Sequence, residues 1–185
     1  MSKRLVASAI LLRDRAGAAA VEFALILPIA ISLFLGTFEL ANLLMCHMKL
    51  VAATQTAADL LAQQKTVCAS DVTSYGTAAG LVMEPLPPGK LSIAFASVIY
   101  TSSSPFTAST DWHQEVNGAT SIATIAPTAA TNAQINKYGS SSTIVATATY
   151  AYTSPLSYML KKNYTFTETA FAQPRLVASI PKPTC

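Results

Sequence analysis

The feature that most constrains this chain is an apolar run from Phe23 to Phe38 that contains no charged residue and resumes from Leu40 to Met45 after Glu39. As a helix rising about 1.5 Å per residue, Phe23 to Met45 covers roughly 34 Å. A bilayer's hydrocarbon core is about 30 Å thick, so one helix suffices to cross it. Lys3, Arg4, Arg13 and Arg15 cluster on the N-terminal side. By the positive-inside rule that end stays in the cytoplasm, and everything after about residue 46 faces outward. A secretory signal has a shorter apolar core and then a small-residue cleavage site. This run is longer, contains Pro28, Gly36 and Glu39, and flows into a further helical stretch. A retained single-pass anchor is therefore expected.

Composition agrees. Hydrophobic residues make up 51% of the 185 residues and charged residues 11%, with a mean hydropathy of +0.40. The apolar excess sits in one place, and a modest folded domain is left over. Much of the net charge of +3 comes from the basic residues ahead of the run. The remainder is nearly neutral, which argues against a nucleic-acid surface.

The junction before the run reads Arg15-Ala16-Gly17-Ala18-Ala19-Ala20-Val21-Glu22-Phe23. A basic leader ends at glycine, small or apolar residues follow, and Glu-Phe opens the membrane helix. This resembles the class III signal of type IV pilin-like proteins. The stretch from Gly17 to Leu44, with Glu22-Phe23, Pro28 and Gly36-Thr37-Phe38-Glu39-Leu40, is similar to the TadE-like pseudopilins of the tight-adherence (Tad) pilus system. A weaker echo lies in Ala148 to Tyr152 and in Ala172-Gln173-Pro174-Arg175. The resemblance implies cleavage by a prepilin peptidase between Gly17 and Ala18. It also implies assembly with other pseudopilins and pilus-assembly proteins into an adhesion pilus, with Glu22 and Phe23 serving assembly. In such families the freed amine of one subunit pairs with the Glu of another. An α-amine has a reference pKa of about 7.7–8.0 and is largely positive at neutral pH. An unpartnered Glu22 would instead snorkel at the cytoplasmic interface, since a carboxylate near the membrane boundary is costly unless paired or hydrated. Two other readings are an uncleaved inner-membrane scaffold of the pilus machine and an adhesin-like head whose loops bind a surface.

Within the run, Pro28 removes the hydrogen bond to the Ala24 carbonyl and should kink the helix. Glu39 lies about 25 Å along the helix from Glu22. It is expected near the outer headgroups, solvated there as charges at helix ends often are.

Beyond the membrane, Leu50, Thr54, Ala57 and Leu61 recur on one helical face, and Ala52, Ala53, Ala58 and Ala62 permit close approach. A rod from about Ala18 to Lys65 would be roughly 70 Å long. Ser70 or Asp71 could cap a second helix through Val72, Tyr75, Ala79 and Val82. Gly76 and Gly80 weaken it, and Pro85, Pro87, Pro88 and Gly89 end it. Period-two alternation then marks strands at Leu91–Ala96, Thr143–Tyr152 and Tyr164–Phe171, with a weaker one at Asp111–Val116. Thr101–Thr110 and Thr128–Thr143 read as loops, the latter with a short helix around Ala133, and Pro155–Lys161 is another short-helix candidate. The fold class is α+β: a long N-terminal transmembrane helix running into a small periplasmic domain with an antiparallel sheet. The expected segments are a leader (1–17), a membrane helix (18–46), its periplasmic extension (47–67) and a head (68–185).

Cys68 and Cys185 lie on the oxidising side under this topology, and a disulfide between them is expected. It would close a loop of about 118 residues, worth up to about 4–5 kcal/mol in the chain-entropy picture. Cys46 reads as a small buried hydrophobe, or as an odd thiol able to bridge between molecules. No enzyme is expected. The sequence lacks G-x-S-x-G, H-E-x-x-H, P-loop and dinucleotide patterns, and no cofactor or metal is called for. Asp111, His113 and Glu115 share one face of a strand and could ligate a metal weakly, but a solvated face opposite Trp112, Gln114 and Val116 explains them too. Arg175 after Pro174 reads as a surface charge that could also bind an anion. The expected partners are membrane lipid, a prepilin peptidase and fellow pilus proteins.

Overall fold

Residues with high helix propensity and no interior glycine pair carry the first helix across the whole apolar run and beyond. In the computed structural model, which describes residues 15–101, 107–132, 142–155 and 163–182, helix α1 extends unbroken over Arg15–Ala62 with Pro28 inside it. The chain divides into two compact units that meet between Asn42 and Leu43.

The first unit is the N-terminal part of α1. Its apolar side chains point outward on every side: Phe23 is 64% exposed, Leu33 68% and Phe34 70%. A helix that is apolar all round and covered by nothing in its own chain needs lipid or neighbouring helices about it. Its few hydroxyls are satisfied locally, as lipid would require: Ser32 donates to the Pro28 carbonyl (2.8 Å) and Thr37 to the Leu33 carbonyl (2.9 Å). Glu39 departs from expectation. It is only 2% exposed and has a polar or electrostatic partner, where a solvated carboxylate is expected from the sequence. A buried carboxylate persists where such a partner offsets its desolvation.

The second unit begins at Leu43. Here α1 becomes amphipathic, and Cys46, Leu50, Ala53, Thr54, Ala57, Ala58, Leu61 and Ala62 are buried. The face expected from the 4-3-4 spacing is thus the one that packs, and Ala52 lies outside it. Helix α2 (Ala69–Val82) follows. Its cap is Cys68, not Ser70 or Asp71. Asp71 sits at the third helical position, where its carboxylate accepts from the Cys68 amide (2.9 Å), satisfying one of the end groups a helix leaves open. Val72, Gly76, Ala79 and Gly80 are buried along one side.

After a short 3-10 turn at Pro88–Lys90 come strands β1 (Leu91–Tyr100) and β2 (Ala108–Val116). A short helix α3 (Ala126–Asn132) and strands β3 (Ser142–Tyr152) and β4 (Tyr164–Ala172) complete the elements. The strands form one antiparallel sheet in the order β2-β1-β3-β4, with a register shift at Ser97/Val98. The loop expected at Thr101–Thr110 gives way to strand from Ala108. The short helix lies before Ala133, which with residues 134–141 falls outside the described residues, as do 156–162 of the other helix candidate. Asn117 and Gly118 both adopt positive φ (55° and 68°) in the turn after β2. Asn-Gly is the dipeptide best suited to that conformation.

Period-two alternation sorts the sheet into two faces. Leu91, Ile93, Phe95, Ile144, Ala146, Ala148, Tyr150 and Tyr152 join the buried face of α1 and α2 in the main core. Ala94, Ala96, Val98 and Val145 form a smaller core with Ile122, Ala126 and Ala130. The glycines that weakened α2 on propensity have a packing reason. A Cβ on Gly76 would stand 2.8 Å from Val116 Cγ1 and 3.1 Å from Ile93 Cγ2, so glycine lets the helix lie close against β1 and β2.

Replacing Gly76 by Ala should therefore destabilise the protein despite better helix propensity, because overpacking costs about 1–3 kcal/mol against about 1 kcal/mol gained. Thermal unfolding of the full chain in detergent, beside Gly89→Ala where a Cβ meets nothing within 4 Å, measures this.

Candidate functional site: the N-terminal segment of α1 and the clamp on its distal half

Gly17, Ala18, Glu22 and Phe23 all lie in the first turns of α1, and all are exposed. A Cβ on Gly17 would meet nothing within 4 Å, so packing inside this chain does not demand glycine there. Ala18 and Glu22 are four apart and so occupy the same helical face, about 6 Å apart along the axis. Among the described residues no basic side chain pairs with Glu22. Its flanks are Val21 (61% exposed) and Phe23. A carboxylate on an otherwise apolar outer surface is costly unless it is paired or hydrated.

The distal half of α1 is held by three strands of contact within the second unit. His47 Nε2 lies 2.7 Å from Glu168 Oε1 on β4, and the imidazole stands edge-on to Phe166 at 5.8 Å. Lys49 Nζ donates to the Val82 carbonyl at the end of α2 (3.5 Å). At the other end, the Arg175 amide donates to the Ala62 carbonyl (2.9 Å), capping the last turn of α1, and its guanidinium reaches Asp59 (3.0 Å). Arg175 thus has an intramolecular partner in place of an anion. The segment after β4 continues across the sheet: Ala178 accepts from the Ser142 amide (3.1 Å), and Ile180 accepts from the buried Trp112 indole (2.9 Å). These tertiary partners of His47, Arg175 and Trp112 have no local sequence signal, since each lies far along the chain.

Of the other candidates, Asp111, His113 and Glu115 do share the outward side of β2, with Trp112 and Val116 buried opposite. His113 Nδ1 is 2.9 Å from Glu115 Oε1, and Ser121 Oγ is 3.5 Å from the same nitrogen. A nucleophile–base–carboxylate relay uses both ring nitrogens, so this arrangement is a local polar cluster. Among the described residues no group of three or more His, Cys, Asp or Glu could hold a metal. The Ser121 hydroxyl, with help from His113, draws the Glu115 carboxyl below its usual range against a smaller opposing effect of burial. Burial, with the Cys46 thiol adding to it, pushes the Tyr150 phenol up, and its hydroxyl donates to the Pro87 carbonyl (3.2 Å). Cys46 is a free, buried thiol. Cys68 is disulfide-bonded, while Cys185 lies outside the described residues.

The lowered Glu115 carboxyl contributes stability that is fully present above the ordinary Glu pKa of about 4.3 and lost as pH falls through the lower folded value. Acidification through that window should cost Glu115→Gln less stability than the parent, as read by melting temperature against pH.

No curated protein and no solved structure gives a significant match to the chain. One family does match, and it covers the segment in which Gly17, Ala18, Glu22 and Phe23 lie. Residues 17–59, all within α1, match the family described as TadE-like protein.

Proposed function

We propose that this protein is a pseudopilin-like component of a Tad pilus, anchored in the inner membrane with its head in the periplasm and acting through assembly, not catalysis. The observation that carries this reading is the TadE-like match beginning at Gly17, on a helix whose apolar surface is left uncovered by its own chain. Gly17–Ala18 is then the bond cut by a prepilin peptidase, and Glu22 receives the freed amine of a neighbouring subunit. The exposure of Glu22 beside Phe23, with no intramolecular basic partner among the described residues, supports a role filled between chains. Other pseudopilins and pilus-assembly proteins are the partners, and adhesion is the output of the pilus they build.

Cys185 is the partner we assign to Cys68. The tail passes Trp112 at Ile180, and Gln114, two positions further along β2, donates to the Ala69 carbonyl next to Cys68 (2.9 Å). That brings Ile180 toward the start of α2, a span that five further residues can cover at about 3.3–3.6 Å per extended residue.

The N-terminus of protein extracted from host membranes should begin at Ala18 when the prepilin peptidase is present and at Met1 or Ser2 when it is deleted. A chain that starts at Met1 or Ser2 in both strains points to an uncleaved scaffold. Glu22→Ala should insert normally yet abolish piliation, scored by electron microscopy and membrane fractionation together. Normal pili with that variant would remove the pairing role.

A further inference from the structure

The second half of α1 and helix α2 form an antiparallel pair within the head unit. The turn between them runs from Ala62 to Ala69, and at the far end Lys49 meets the Val82 carbonyl. From Lys49 to Ala62 and from Ala69 to Val82 are equal steps, each about 20 Å of helix. Helix α2 thus returns to the level at which α1 leaves the apolar run. Helical side chains lean toward the N-terminus, so Lys49 reaches back toward the turn around Met45. Tyr150, whose phenol is influenced by Cys46, donates to Pro87 and places the segment after α2 at the same level.

Leu81 stands at this end of α2 and is 59% exposed, while Val82 and Leu86 pack partly against the core. Leu81 therefore contributes little to the head's own packing. At the same end of the unit, α1 displays Leu44 (56% exposed), Met45 (45%) and Met48 (70%). The charged groups there are Lys49, pointed at the end of α2, Lys90, whose Nζ donates to Thr153 Oγ1 (2.8 Å), the exposed Glu84 and the His47–Glu168 pair between Met45 and Met48. Apolar side chains with lysines beside them make up the chemistry of a membrane interface, where stems lie among acyl chains and ammonium groups reach phosphates.

We infer that the C-terminal turn of α2, with Leu81 at its tip, rests in the outer lipid interface beside α1, so that the head docks on the membrane through a second contact besides its stem. This rests on reading α1 as the membrane anchor. The occupant is lipid because the exposed apolar residues of α1 run without a charged break from Leu40 to Met45, and Met48, beyond the half-exposed His47–Glu168 pair, carries them to the level of Leu81.

The test uses the full chain in phosphatidylethanolamine–phosphatidylglycerol vesicles doped, in separate preparations, with phosphatidylcholine that carries a doxyl quencher near the glycerol, to report on position 81, or near the acyl terminus, to report on position 34. Single tryptophans are added at Leu81, at Ser70 on the opposite end of α2, and at Phe34 in the anchor. All three positions are exposed, so folding is undisturbed. Leu81→Trp should show blue-shifted emission that the doxyl lipid quenches, while Ser70→Trp keeps the parent's response. Quenching in Phe34→Trp without quenching in Leu81→Trp overturns the lipid contact but leaves the anchor standing. No quenching in either overturns the anchor reading itself. A blue shift in Leu81→Trp that disappears on dilution of protein into lipid, with no quenching, assigns this face to a second copy of the chain and also overturns the inference.

Discussion

Burial of a single stripe of α1, through Cys46, Leu50, Ala53, Ala57 and Leu61, is the constraint on which the head depends. Each fully buried leucine is worth about 1.5–3 kcal/mol relative to exposure. The alanines between them contribute less area but allow the sheet and α2 to come close. The same close approach recurs at Gly76, where absence of a Cβ seats α2 against Ile93 and Val116. The main core is therefore shared by one long helix, one short helix and one face of the sheet, and none of the three could bury its apolar surface alone. A consequence is that the helix carrying the membrane-length apolar run is also a structural member of the folded head.

The polar contacts around this core orient more than they stabilise. His47–Glu168 and Arg175–Asp59 are partly exposed pairs, and such pairs contribute at most about 1 kcal/mol. The backbone bond from Arg175 to Ala62 matters for a different reason. A helix leaves its last carbonyls open, and the tail after β4 satisfies one of them while its continuation satisfies Trp112 from Ile180. A buried indole N–H left without an acceptor would cost about 1–3 kcal/mol. The tail therefore holds the top of α1 and the core side of β2 at once. In the first unit the balance is reversed: apolar surface is abundant, the hydroxyls satisfy themselves within the helix, and Glu22 has no basic partner among the described residues. That asymmetry, a self-sufficient head and an N-terminal segment that needs other molecules, is the physical basis for reading the function as assembly.

Much of this was legible from local pattern. An uncharged run of membrane length, the basic residues before it and the Gly17…Glu22-Phe23 junction depend only on composition and order, and so does the resemblance that the TadE-like match bears out over residues 17–59. The packing face of α1 and the four strands followed from periods of 3.6 and 2, because burial imposes those periods directly on the sequence. Tertiary structure decided what periodicity does not encode. It left Glu39 only 2% exposed, where its place along the chain suggested a solvated carboxylate. It made Cys68 the cap of α2, because the Asp71 carboxylate was free to turn back on that amide. It turned two weakening glycines into a packing surface. It also brought His47 to Glu168, Arg175 to Asp59 and Trp112 to Ile180, partners more than a hundred residues apart in the first two cases (168 − 47 and 175 − 59). The sequence alone determined that the chain has one membrane-length helix and an α+β head, because hydrophobic patterning is a local property. Only the folded structure decided which polar groups are spent inside the molecule, because that depends on which distant segments the core draws together.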